Sequence, residues 1–395
     1  MDARPSTLPP ARQILQLARS DKRAAEQAVA ALPLDEQVLL VCGAPLDLRE
    51  RMLQLTPFPE EVIPLLPEAE LCFTAKAIGL WDAGWILEHA TPGQLVASLD
   101  LDGWQGLAPL HDNLRNWLAA LAEAGDETLL RAARSLDMEL IVLALRDRLA
   151  VVLDPKDEEW QPPEGARTLE GQFYLIPKRA GDDLADVLKL LGAVFREDYW
   201  LYFRMLQGVI WELQSDLEEW ALRWRTGRLE DLGFPSWDVA MRIYGHLRSS
   251  ERDRIPEDSA PLDVEAWQLP VFMPELPATI TQAHSLFRAA AELDGEERRG
   301  FFYSFVGMAN RVAVADRMPL GDAETLPKAI EDAASVISQG LEHVATRNAC
   351  SLTDTLGRVS LERLFRVGAS LAGRKPPRYE APHEASDSDD EAQST

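Results

Sequence analysis

Four prolines near the amino terminus, each followed within three residues by an acid or an amide, constrain the fold of this chain more than any other feature. They occur in Leu32-Pro33-Leu34-Asp35-Glu36, Phe58-Pro59-Glu60-Glu61, Leu66-Pro67-Glu68-Ala69-Glu70 and Thr91-Pro92-Gly93-Gln94. Proline suits the first helical position, because its fixed φ is already helical and the N–H it lacks has no partner there. Acidic or amide side chains just beyond it favour the positive end of the helix dipole. Pro33 and Pro67 are 34 residues apart and Pro59 and Pro92 are 33 apart, so two helix starts interleave at one period. A period of this length is that of stacked helix pairs.

The coarse pattern extends this to a mainly α, superhelical helical-repeat unit over 12–148. Expected helices fall at 12–31, 36–42, 46–54, 59–65, 68–78, 83–89, 94–99, 110–124, 127–136 and 139–148, with Gly79-Leu80-Trp81-Asp82 turning the chain. Thr91 and Gln94 form a capping box around Pro92. Residues 149–178 break the pattern: Leu149-Ala150-Val151-Val152-Leu153 and Gln172-Phe173-Tyr174-Leu175-Ile176-Pro177 are β-rich and bounded by Gly and Pro, which predicts a small hairpin insert.

Helix returns over 182–373. Tyr199, Phe203, Leu206, Ile210, Leu213, Leu217, Trp220 and Trp224 alternate steps of four and three, which predicts one long central helix. Residues 248–263 read as a loop and 264–273 as extended or irregular. Further helices are expected at 236–247, 279–293, 297–315, 323–345 and 360–371. From 374 to 395 the chain is polar and acidic, the composition of a disordered tail.

The net charge is −25, and only six acids lie beyond Arg378, so the body of the chain is itself acidic. Such a field repels phosphate backbones, and no nucleic-acid partner is expected. No apolar run is long enough for a membrane span, and Met1-Asp2-Ala3-Arg4-Pro5 lacks a signal-peptide pattern. Cys42, Cys72 and Cys350 are odd in number and far apart, which fits reduced thiols in the cytoplasm.

No catalytic or phosphate-binding motif is present. The six histidines (89, 111, 246, 284, 343 and 383) lack metal-ligand spacing. Asp100-Leu101-Asp102-Gly103 lacks the remaining ligands of a calcium loop, so turn and cap duty is expected of Asp102 and Gly103. Glu60, Glu61, Glu68 and Glu70 stand at helix starts, where the dipole accounts for them. No cofactor, metal or catalytic residue is assigned.

The eleven tryptophans offer more. Trp81 and Trp85 are four apart, as are Trp220 and Trp224, so each pair is expected to share a helix face. The heptad seam places Trp220 and Trp224 in a core or a coiled-coil contact. Tryptophan is also enriched in interface hot spots, and these four residues are the candidate interaction surface. Arg223, Arg225 and Arg228 nearby are expected to pair with Glu218, Glu219 or Glu230 rather than stack on bases.

Two resemblances follow from particular stretches. Leu66-Pro67-Glu68, Ala77-Ile78-Gly79-Leu80-Trp81-Asp82 and Ala90-Thr91-Pro92-Gly93-Gln94-Leu95 make residues 32–104 resemble the amino-terminal helical domain of MgtE-type magnesium transporters. That domain lies on the cytoplasmic side and senses Mg²⁺ through acidic residues. Without a transmembrane domain, transport is not implied here, and no ligand is matched. Leu99-Asp100-Leu101-Asp102-Gly103-Trp104, residues Arg228-Leu229-Glu230-Asp231-Leu232-Gly233-Phe234-Pro235, Ala309-Asn310-Arg311-Val312 and Leu361-Glu362-Arg363-Leu364-Phe365-Arg366-Val367-Gly368 make the whole chain resemble a bacterial family, domain of unknown function 6178, which lends no activity. The expectation is a cytoplasmic interaction or scaffold protein whose helical surface binds another protein. The alternatives are an enzyme or small-ligand sensor with a site between the two helical units, and a divalent-cation-responsive regulator.

Overall fold

The computed structural model describes residues 11–179, 181–182, 184–255 and 283–377. The amino-terminal helices are α1 (Ala11–Ser20), α2 (Lys22–Ala30), α3 (Leu34–Cys42), α4 (Arg49–Leu53), α5 (Pro59–Val62), α6 (Glu68–Ile78), α7 (Gly84–His89) and α8 (Pro92–Asp102). A two-residue hairpin, β1 (Trp104–Gln105) and β2 (Ala108–Pro109), leads to α9 (His111–Ala124), α10 (Asp126–Ser135) and α11 (Met138–Arg148). Strands β3 (Leu149–Leu153) and β4 (Phe173–Pro177) then pair antiparallel, Leu149 opposite Pro177 and Leu153 opposite Phe173. Helices α12 (Ala185–Glu197), α13 (Tyr199–Trp211), α14 (Gln214–Asp231), α15 (Trp237–Ala240) and α16 (Ser249–Arg252) follow. The last described helices are α17 (Ser285–Ala291), α18 (Gly295–Ala315), α19 (Thr325–Asn348), α20 (Leu352–Leu356) and α21 (Leu361–Ala372). The fold is mainly α with a small β insert. Buried apolar side chains from Ala11 to Ala369 form one contiguous core.

The proline starts are real but not uniform. Pro59 and Pro92 are the first residues of α5 and α8. Pro33 and Pro67 stand one residue earlier, as caps with extended ψ, and their carbonyls accept the first helical bonds from Gln37 and Leu71. The capping box of α8 is complete: Gln94 N–H donates to Thr91 Oγ1 at 3.1 Å and Thr91 N–H to Gln94 Oε1 at 2.9 Å. The amide of Gln94 also donates to the carbonyls of Ile63 and Leu66, at 2.9 and 2.7 Å. One side chain thereby starts its own helix and satisfies the carbonyls left at the end of the preceding turn.

The seam expected to form one long helix is two helices. α13 stops at Trp211 and α14 starts at Gln214, with Glu212 and Leu213 extended (ψ 145° and 139°). No Gly or Pro marks the break. Its cause is tertiary: Arg146 of α11 donates to the Glu212 carbonyl, and α11 packs against both halves. The longest described helix is instead α19, with 24 residues. It crosses α21 at glycines: a Cβ on Gly340 would run into the Leu364 carbonyl, and one on Gly368 into the Val336 carbonyl.

Arg374, read as the first residue of a tail, is tied down by Asp316 (2.7 Å), Asp332 (3.0 Å) and the Tyr244 hydroxyl (3.2 Å). The expected loop beyond 255, the segment 264–273, the start of the 279–293 helix and the chain beyond 377 lie outside the described residues.

Candidate functional site

The four candidate tryptophans have different surroundings. Trp81 lies in the turn between α6 and α7, not on a helix, so it shares no helix face with Trp85. It is 65% exposed, while Trp85 is half-buried against the core and lines an open groove with Glu50, Gln54, Pro59, Ile78 and Asp82. Trp220 and Trp224 do share a face of α14 and stack at 5.8 Å with an interplanar angle of 26°. They are not core: they are 43% and 46% exposed, and the Arg223 guanidinium sits 5.1 Å from the Trp220 ring.

The periodicity of α14 explains the difference. Its buried stripe is Leu217, Ala221, Arg225 and Leu229, in steps of four, and the tryptophans flank that stripe. Tyr199, Trp200, Trp211 and Leu213 are exposed on the same stretch of chain, Trp200 at 71%. Six of the fourteen large apolar side chains exposed among the described residues thus fall between 199 and 224. The sequence points to Leu213 only as a seam residue, and to Trp200 and Trp211 not at all, because each sits in or beside a seam that reads as core.

The inner side of α14 is an ionic junction. Asp100 and Asp102 occupy the last turn of α8, at the negative end of its dipole, and both are buried. Carboxylates there need cations. Arg228 supplies a fork to Asp100 (2.7 and 2.9 Å) and to Asp137 (2.9 and 2.6 Å). Arg225 donates to the Asp100 carbonyl at 2.7 Å and lies 5.1 Å from the Trp104 ring. Burial draws Arg225 down to about 10, and burial outweighs Arg228 in raising the Asp100 carboxyl.

Asp102 is paired with Lys76 and accepts from Trp117 Nε1 at 2.8 Å, and Lys76 also donates to the Gly321 carbonyl at 2.9 Å. Asp102 is therefore a buried ion-pair residue rather than a turn residue. Arg228 pairs across the molecule with Asp100 and Asp137, and Arg225 donates to the carbonyls of Asp100 and Gly106, rather than to Glu218, Glu219 or Glu230. Glu70, read as a helix-start acid, is buried and paired with Arg49.

The four stretches that carry the family resemblance meet through these contacts. Asp100 is joined to Arg228, Gly233 accepts from Asn310 at 3.1 Å, and Arg311 pairs with Glu362 at 2.5 Å. A family model matches residues 26–374. The chain belongs to the family of unknown function DUF6178. No curated protein and no solved structure gives a match, so the likeness of residues 32–104 to the transporter domain rests on the residues quoted above.

In this DUF6178 chain His284 contacts Glu331 at 2.9 Å and His343 contacts Asp253 at 2.7 Å. Among the described residues no three His, Cys, Asp or Glu side chains gather in a way that could hold a metal ion. Nor is any described helix long and apolar enough to cross a membrane. Cys42 and Cys72 are buried free thiols, raised by burial, Cys42 to about 12.

Proposed function

We propose that this protein is a non-enzymatic cytoplasmic interaction module whose contact surface is the aromatic edge of α13 and α14. The observation that carries this is the exposed, stacked Trp220–Trp224 pair, with Trp200, Trp211 and Leu213 exposed on the same stretch. Indole rings left in water at this density forfeit burial of about 25 cal/mol per Å², and partner surfaces recover it. The buried free thiols fit a reducing compartment.

Charge defines the partner's chemistry. Glu212, Asp216 and Glu219 are exposed among these aromatic groups, in a chain of net charge −25. A protein presenting apolar anchors flanked by Lys or Arg complements this surface. Trp81 with the groove beside Trp85, lined by Glu50 and Asp82, has the same aromatic and acidic character and is a second, smaller contact region.

The test is affinity capture from the native host with the wild-type chain and with Trp220→Ala/Trp224→Ala, followed by titration of the purified pair. The expected result is a basic partner held by the wild type, lost from the double variant and weakened by salt. Equal recovery with both chains overturns the proposal. So does a wild-type dimer that the double variant converts to monomer, since the occupant is then a second copy.

A further inference from the structure

We propose that the arginine surface formed by Arg242, Arg248, Arg252, Arg363 and Arg366 is the docking surface of the chain's own acidic segment, residues 379–395. It goes beyond the proposed contact with a basic partner, which lies on α13 and α14.

Two stretches far apart in sequence build the surface. Arg363 and Arg366 lie three residues apart in the first two turns of α21, on one side of the helix. Arg363 donates to the Glu251 carbonyl of α16, and Arg366 to the Gly245 carbonyl at 3.2 Å. These contacts set both guanidiniums against the segment that carries Arg242, Arg248 and Arg252. Gly245 permits the close approach: a Cβ there would stand 2.9 Å from Arg366 Nη2 and 3.0 Å from the Arg242 carbonyl oxygen. Arg242 and Arg248 are exposed, and the other three are half-buried.

The positive charge of this surface has no close counter-charge. None of the five arginines forms an ion pair among the described residues, and Arg252 donates to the Ser249 hydroxyl at 2.7 Å. The nearby carboxylates are engaged elsewhere. Glu362 pairs with Arg311, Asp253 with His343 at 2.7 Å and Arg347 at 3.8 Å, and Glu251 accepts from the Arg248 N–H at 2.9 Å. Glu251 and Asp253 still act on Arg363 and Arg252, from beyond ion-pair distance. Burial and then the charge of Arg366 nonetheless hold Arg363 below its ordinary value. Arg363 also stands in the first turn of α21, where the helix dipole disfavours a cation.

The chain carries the complementary anion. Beyond Arg378 it has six acids, from Glu380 to Glu391, and no Lys or Arg. It approaches them from the edge of the arginine surface, because Arg374 donates to the Tyr244 hydroxyl at 3.2 Å and Tyr244 adjoins Gly245. Arg363 lies roughly 14 Å from the end of α21 at 1.5 Å per residue. Residues 379–395 can span up to roughly 55 Å when extended, so reach is ample. Exposed ion pairs are weak singly, but a tether holds the acids at an effective concentration on the order of millimolar.

The test is the binding of a fluorescent peptide of residues 379–395 to the full chain, followed by anisotropy. Wild type is compared with a full-length amide variant (Glu380→Gln, Glu384→Gln, Asp387→Asn, Asp389→Asn, Asp390→Asn and Glu391→Gln). The amide variant is expected to bind the peptide, and wild type to bind it about tenfold more weakly because its own segment competes. Added salt should weaken both. Arg363→Gln/Arg366→Gln in the amide variant should weaken binding a further tenfold or about that. Should that variant not fold, Arg242→Gln/Arg248→Gln decides, since it alters exposed side chains only.

Failure of the amide variant to bind, equal binding by wild type, or indifference to the arginine substitutions overturns the proposal. Trp220→Ala/Trp224→Ala in the amide variant should leave peptide binding unchanged, and a loss there would move the site off the arginines. In full-length Arg363→Lys, a carbodiimide should join position 363 to an acid between 380 and 391 within one chain. Links formed only between chains would make the occupant a second copy and overturn the intramolecular contact.

Discussion

Helices α14 and α19 are built on opposite plans. α19 turns Ala329, Ala333, Val336, Ile337, Gly340, Leu341 and Val344 inward, a conventional apolar stripe. α14 turns Leu217, Ala221, Arg225 and Leu229 inward, reaches the buried Asp100 with Arg228, and leaves Trp220 and Trp224 outside. The first plan gains its stability from close backbone approach and burial. The second gains it from ions that meet only in the finished fold, since Arg228 and Asp100 are 128 residues apart. A helix with its arginines inward and its tryptophans outward packs adequately only where carboxylates are already waiting, and α8 supplies them.

The largest effect is expected where α19 meets α21. Gly340→Val or Gly368→Val would push a side chain into a main-chain carbonyl, which cannot rotate away as a side chain can. The expected loss is on the order of 4 kcal/mol, above the usual range for overpacking because the obstacle is backbone. Denaturant titration checks it. A loss below about 1 kcal/mol would show that the helices separate freely and that close approach is not what holds them.

Next in size is the inner face of α14. Arg228→Met leaves the buried Asp100 and the partly buried Asp137 without their fork and is expected to cost about 2–3 kcal/mol, less than a fully buried pair because Arg228 is partly exposed. Adding Asp100→Leu removes the stranded charge, and part of the stability should return. Strict additivity of the two losses would mean that the pair is not coupled, and the contrast with α19 would collapse.

A third, smaller effect concerns the ions beside the β insert. Arg148 bonds Asp182 at 3.2 and 3.3 Å and holds its carboxyl below the usual carboxylate range. A carboxyl lowered in the folded state adds stability above its unfolded value, about 3.9, and loses it as the pH falls through the folded value. Asp182→Asn should therefore be less stable than wild type at pH 7, with the difference shrinking below about pH 4. A difference that persists at pH 2 would assign the effect to packing rather than charge.

The two plans also account for what the sequence disclosed. Capping chemistry is local, so Thr91, Pro92 and Gln94 announced the start of α8. Val151, Val152 and Tyr174 announced a pair of strands for the same reason. The break at Glu212 carries no local signal, because it is imposed by Arg146 from another helix. Asp102 beside Gly103 has the look of a turn, and only the folded chain brings Lys76 and Trp117 to it. The arginines of α14 were expected to pair with acids on their own helix, whereas their partners come from α8 and the start of α11. The tryptophans were legible as noteworthy but not as exposed. A seam with steps of four and three cannot separate the buried stripe of a helix from its flanking edge, 60° or less away.

The smallest effect on stability is expected on that outer edge, and its smallness is informative. Trp220→Ala/Trp224→Ala removes a stacked pair whose mutual attraction is about 0.5–1.5 kcal/mol, together with the Arg223 contact. Nearly half of each ring already faces water, so less burial is lost than at a core tryptophan. The net change in unfolding free energy should stay within about 1 kcal/mol, measured by denaturant titration, even though two of the largest side chains in the molecule are gone. A loss of 3 kcal/mol or more would place these rings in the core after all, and α14 would then be a conventional helix like α19. A small loss leaves the tryptophans without a role in folding, which is the condition a contact surface has to meet.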